Sequence, residues 1–274
     1  MAHRAQCPRC HSEHTVRHGH ANGLQRYRCR ACNRTFNALA ATPLKGLHKR
    51  ELWLRQAEAL NDGRTLRKVA KDLGIHLGTA HRWRHRFLTA PERVQPATLT
   101  GIAEVDETYF LLSFKGKRQG LDREPRKRGG RASKRGLSHE QVPVLVARDR
   151  SGATMDCVVE TPNMETISAV LKQILPTDIV MCTDGSKTLA GVAQILGVEH
   201  HAVNVSAGIR KEGPWHVQNV NAYHSRLKGW VAKFRGVATC YLNNYLGWFR
   251  VIESRVTNAP TPAQWLAMAL GDRD

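Results

Sequence analysis

The chain has 274 residues, 41% of them hydrophobic, and carries 42 Lys and Arg against 23 Asp and Glu, a formal charge of +19. That length suits one sizeable core with one or two small modules; no apolar run nears the ~20 residues of a membrane span and the first residues do not read as a secretory signal, so a cytoplasmic, nucleoid-associated protein is expected. The charge is lopsided, with 19 basic and 6 acidic side chains in residues 1–100 but 11 and 10 in residues 151–274, and without a basic amphipathic helix bearing an aromatic face it favours nucleic acid over a membrane as partner.

Cys7-Pro8-Arg9-Cys10 and Cys29-Arg30-Ala31-Cys32 form two C-x-x-C knuckles. Two such knuckles can set four thiolates tetrahedrally around Zn²⁺, so residues 1–42 are expected to be a zinc ribbon that metal binding folds. Four protein ligands leave no open position, which makes the zinc structural. Tyr27 and Phe36 should form a small cluster beside it, while His11, His14, His18 and His20 face solvent or DNA. Cys157, Cys182 and Cys240 lie in apolar surroundings and read as buried small hydrophobes.

Residues 46–90 read as a helix-turn-helix. Leu52, Leu54, Ala57 and Leu60 give a first amphipathic helix. Leu66, Val69, Ala70 and Leu73 give a second that Thr65 can cap and Gly74 ends. A third follows with Ala80, Trp83 and Phe87 inward. Its outward positions, Thr79, His81, Arg82, Arg84, His85 and Arg86, make a recognition helix for the major groove. Residues 89–100, with two prolines, read as a linker.

Residues 99–274 are expected to be one α/β catalytic domain. Strands are predicted over 101–112, 141–148, 153–160, 178–184 and 198–205, and helices over 164–175, 187–196 and 217–235. The order βββαβαβα is that of an RNase H-like fold. The stretch from Lys115 to Arg135 holds 10 basic and 2 acidic residues, including Lys115, Lys117, Arg118, Arg126, Lys127 and Arg128. It reads as a loop that orders on DNA.

Two acids stand where this architecture puts chemistry: Asp106 inside the central strand and Asp184 at the carboxyl end of the fourth. A carboxylate among apolar neighbours is costly unless paired or metal-bound. Two Mg²⁺ ions sharing such carboxylates can activate an attacking oxygen and stabilise a leaving one, and Mn²⁺ can substitute. Glu107 alternates to the opposite strand face and is set aside.

The segments EVDETYF (104–110), TDGS (183–186) and HVQNVNAYHSRLKGW (216–230), with YLNNYLGW (241–248), resemble bacterial insertion-sequence transposases of the DDE superfamily, in the branch that opens with a zinc ribbon. The resemblance covers essentially the whole chain. It implies that Asp106 and Asp184 are the first two catalytic carboxylates, that Asn221 stands at the third acidic position, and that Lys228 is the following lysine: an Asp-Asp-Asn-Lys site. Asn221, His224, Ser225 and Lys228 share one helix face by spacing, an amide oxygen can ligate Mg²⁺, and Lys228 can offset phosphate charge. Glu212 and Glu253 are alternative third ligands. The implied activity is binding of terminal inverted repeats, strand cleavage and strand transfer, by a homodimer on double-stranded DNA. The competing readings are a non-catalytic DNA-binding regulator and a nuclease that cuts without joining.

Overall fold

A computed structural model describes residues 5–117, 119–121, 130–134, 137–204, 207–254 and 260–271. The chain divides into two units, residues 1–91 with 259–274, and residues 92–258.

In the first unit, strands β1 (Thr15–Ala21), β2 (Leu24–Cys29) and β3 (Thr35–Phe36) form an antiparallel sheet in chain order. Asn22 and Gly23 join β1 to β2 with φ of 50° and 71°, the left-handed pair that a tight hairpin demands. Tyr27 pairs with Phe36 across β2 and β3 and their rings stack at 5.6 Å. Helices α1 (Trp53–Asn61), α2 (Leu66–Leu73) and α3 (Leu77–Arg93) follow. Gly74 ends α2 at φ 63°; Thr65 holds the N-cap position with extended backbone but makes no side-chain hydrogen bond there.

Four expectations need correction in this unit. Leu54 is 49% exposed; the stripe that α1 buries is Trp53, Ala57 and Leu60, at the i, i+4, i+7 spacing of a helix face. Arg84 is buried and its guanidinium donates to the Arg64 carbonyl, so it supports the turn after α1 instead of facing outward. The supposed linker begins later than residue 89, because α3 continues through Pro91 to Arg93. Finally, residues beyond 258 do not join the second unit: α8 (Pro262–Leu270), started by a capping box between Thr261 and Gln264, packs on α1. There Trp265 is fully buried and its Nε1 donates to Asn61 Oδ1 at 3.3 Å.

The second unit holds a five-stranded sheet of β4 (Ile102–Leu111), β5 (Gln141–Asp149), β6 (Thr154–Val158), β7 (Val180–Thr183) and β8 (Glu199–Ala202), in the order β6-β5-β4-β7-β8. β5 runs antiparallel to both β4 and β6, whereas β4, β7 and β8 are mutually parallel. With α4 (Met164–Leu171), α5 (Lys187–Leu196) and α6 (Gln218–Ala232), this is the βββαβαβα order of the RNase H-like fold. One face carries Val105, Leu145 and Ala147 against Ile167, Leu171, Leu189 and Val192 of α4 and α5. Because strand side chains alternate, Glu104 and Asp106 project to the other face, which α6 covers.

An additional helix, α7 (Leu242–Glu253), explains the YLNNYLGW segment as packing. Tyr245, Trp248 and Phe249 are buried and join Tyr223, Trp230 and Phe234 in one aromatic cluster. Asn243 Oδ1 accepts the Val158 N–H at 3.0 Å, closing the edge strand β6. At the base of this cluster Asp156 pairs with Arg250 and accepts from the Tyr223 hydroxyl at 2.6 Å. Cys182 is buried as expected, but Cys157 is half-buried and Cys240 exposed. Among the described residues no helix is long and apolar enough to cross a membrane.

Candidate active site and metal centres

β4 and β7 pair in parallel with Ile102 opposite Val180 and Glu104 opposite Cys182. Continued by two residues, this register sets Asp106, in the middle of β4, beside Asp184, just past the carboxyl end of β7. Asp106 Oδ1 accepts its neighbour Glu107 N–H at 2.8 Å, and Asp184 Oδ1 accepts Ser186 N–H at 3.1 Å in the turn into α5. Burial, and then the Asp184 charge, push the Asp106 carboxyl up to about 7, against the pull of Lys228. Two carboxylates crowded at a partly desolvated strand end form a site that a cation would relieve.

α6 presents its polar residues less uniformly than their spacing predicts. Asn221, Ser225 and Lys228 are exposed. His224 is only 7% exposed, with its Nδ1 3.7 Å from Asp106 Oδ2. Burial, and then Lys228, push the imidazole down to about 4, so it is neutral. Among the described residues its Nε2 has no hydrogen-bond partner.

Residues that sequence reasoning passed over hold this arrangement in place. Glu104, two positions before Asp106, is fully buried; its Oε2 accepts the Val220 N–H at 2.9 Å, and its Oε1 lies 2.6 Å from Arg150 and 3.3 Å from His216. Val220 is in the first turn of α6, so a carboxylate of the central strand satisfies a free N–H at the helix start, where negative charge is favoured. The available signal was a third acid in a strand that already carries Asp106 and Glu107. Glu107, on the opposite face of β4, is nevertheless raised by burial and by the Asp184 charge. Of the alternative third ligands, Glu253 is held by Arg226 and Glu212 lies in a short bridge with Trp215.

The four N-terminal cysteines come together with all sulfurs within 4.8 Å, Cys7 to Cys32 at 3.7 Å and Cys10 to Cys29 at 3.5 Å. Backbone N–H groups, that of Cys32 foremost, lower the Cys29 thiol to about 6, and those of Cys10 and Arg9 lower Cys7. At these two cysteines this favours the thiolate that a metal needs, whereas hydrogen bonding to Cys29 and burial push Cys10 up to about 12. Among the described residues no other group of three His, Cys, Asp or Glu side chains gathers as closely.

On α3, Arg82 and Arg86 are exposed and Thr79, His81 and His85 half-buried, leaving five of the six expected outward positions at least partly accessible. Lys115 is committed elsewhere: its ammonium donates to the carbonyls of Phe234, Arg235 and Gly236 beyond the end of α6, at 3.1, 3.2 and 2.6 Å. The Lys117 ammonium lies 5.7 Å from the Phe114 ring centre. Arg118, Arg126, Lys127 and Arg128 fall outside the described residues.

Residues 98–250 match the family described as ISXO2-like transposase domain, and residues 48–93 match a homeodomain-like domain. An uncharacterized protein in transposable element ISH50 of Halobacterium salinarum is 26% identical over 249 residues, covering 89% of this chain and 84% of the relative. Among solved structures, a simian T-cell lymphotropic virus intasome complex is similar at a TM-score of 0.34 and 10% identity, covering 77% of this chain and 73% of that one. The Mos1 strand transfer complex is similar at 0.26 and 14%, covering 84% and 80%.

Proposed function

Since this chain belongs to the ISXO2-like transposase family, we propose that it binds the terminal inverted repeats of an insertion sequence, cuts each end, and joins the freed 3′-hydroxyl to target DNA. The observation that carries this reading is the juxtaposition of Asp106 and Asp184 on adjacent parallel strands beneath α6.

Asp106 and Asp184, with the amide oxygen of Asn221, would hold divalent metal, Mg²⁺ or Mn²⁺. The donors fit: two crowded carboxylates, one raised by burial and by the charge of the other, favour a cation, and oxygen donors suit these ions. When bound, such ions activate the attacking oxygen and stabilise the leaving one. In the first step the water oxygen bonds to phosphorus as the P–O3′ bond at the element's end breaks. In the second, the freed 3′-oxygen attacks a target phosphodiester and displaces that strand's 3′-oxygen. Lys228, within the field of Asp106, offsets the phosphate charge that builds in each step.

The four thiolates fit Zn²⁺. A tetrahedral ion with Zn–S bonds of ~2.3 Å sets sulfurs roughly 3.8 Å apart, near the spacing found. Thr79, His81, Arg82 and Arg86 of α3 would read or grip the repeat from the major groove, and the basic stretch 115–135 would add sequence-independent phosphate contacts. Because both ends must be joined, two copies act together on double-stranded DNA. Incubating the protein with the element's labelled ends, target plasmid and Mg²⁺ tests the reading. Joined products are expected, and their absence with retained end binding would favour a non-catalytic regulator.

A further inference from the structure

We propose that His224 supplies a nitrogen ligand to the ion that Asp106 holds. This rests on the metal-site reading above and sharpens it by naming a donor outside the Asp106, Asp184, Asn221 set.

The placement carries the argument. His224 lies one turn beyond Asn221 on α6, almost wholly buried, yet it has not found the partners that buried polar groups find. Among the described residues its Nε2 has none. Its Nδ1 faces Asp106 Oδ2 at 3.7 Å, too long for a hydrogen bond. Two ligand atoms on one six-coordinate ion lie roughly 3 Å apart, so a shared ion would draw these two together by less than an ångström. A neutral imidazole has a lone pair on one ring nitrogen, and whichever faces Asp106 can offer it.

The helix is also held in rotation. Glu104 anchors Val220 at 2.9 Å, and the Tyr223 hydroxyl reaches Asp156 at 2.6 Å. Val220 and Tyr223 share the buried stripe, and together they fix the side of α6 that meets β4, keeping His224 over Asp106. A ligand on a rigid, doubly anchored helix is preorganised.

The donor set explains how Asn221 can stand at an acidic position. The site loses one negative charge there and gains a neutral nitrogen. Imidazole suits later transition ions, whereas carboxylate and water donors suit Mg²⁺, so the site should prefer Mn²⁺ over Mg²⁺ more strongly than an all-oxygen site does.

The test uses the full zinc-loaded chain, Mn²⁺ as probe and pulsed EPR. Bound Mn²⁺ should show coupling to a directly coordinated ¹⁴N that becomes a ¹⁵N pattern when the histidines are ¹⁵N-labelled, a measurement that needs no variant. The coupling should vanish in His224→Gln and persist in His216→Gln, and His224→Gln should weaken Mn²⁺ at least tenfold. Mn²⁺ binding that is lost in Asp106→Asn but shows no coordinated nitrogen in the wild type would overturn the role of His224 and leave the carboxylate site standing. No Mn²⁺ bound at this site in the wild type would remove the site reading and the proposal with it.

Discussion

Glu104 accepts the Val220 N–H across 116 residues of sequence, so the strand that carries Asp106 also sets the start of the helix that carries Asn221, His224 and Lys228. The two halves of the candidate site are thereby located by one buried carboxylate that does not itself reach the reacting position.

Glu104→Ala leaves the Val220 N–H without an acceptor and takes the buried carboxylate from half-buried Arg150, which keeps its bonds to Pro214 and His216. It should destabilise the second unit by about 3 kcal/mol, read from urea unfolding. Glu104→Gln keeps an acceptor for Val220 and should lose roughly half as much. Equal losses would mean that the helix contact contributes nothing.

Much of the second unit was legible in the sequence. The apolar strand around Asp106 and the short strand ending at Asp184 stand out because each carries an acid where packing favours none. Glu104 was not legible, since its partners Arg150, His216 and Val220 lie far along the chain. Arg84 shows a different failure: a long cation on a predicted helix reads as surface. Here it stands four residues after the buried Ala80, and its stem runs inside to the Arg64 carbonyl. For His224 the spacing gave the face but not the burial, which comes from how α6 lies on β4.

Removal of the N-terminal metal should unfold only one part of the protein. Freshly purified chain should carry about one Zn²⁺. Cys29→Ser should release it and abolish the ribbon's NMR dispersion, while the unfolding transition of residues 92–258 persists. Metal-free protein with an intact ribbon spectrum would contradict this.

Asp106→Asn and Asp184→Asn should each reduce end cleavage by roughly a thousandfold or more, with end binding in gel shifts unchanged. Substantial cleavage by either variant would place the metal elsewhere.

Asn221 and Lys228 should separate by assay. Asn221→Asp should hold or raise Mn²⁺ affinity and Asn221→Ala lower it, whereas Lys228→Ala should depress cleavage more than metal binding. Near-neutral effects on calorimetric Mn²⁺ binding from both Asn221 variants would make it an ordinary exposed residue.

Two neighbouring arginines of α3 should behave in opposite ways. Arg82→Ala, at an exposed position, should weaken end binding and lower the slope of log K against log salt by about one, with thermal unfolding unaltered. Arg84→Ala, at a buried position, should destabilise the first unit by about 1–3 kcal/mol, seen as a lower melting temperature.

The docking of α8 on α1, with Trp265 bonded to Asn61, bears on how the protein is made. The ribosome releases the N-terminal helices first, but their last packing partner is released only after residues 92–258 have been synthesised. A nascent or prematurely terminated chain therefore lacks the helix that covers Trp265's seat, and a fragment ending near residue 91 should bind the repeats poorly until residues 260–271 are restored to it by a linker. Synthesis of residues 260–271 would thus set the competence of the first unit.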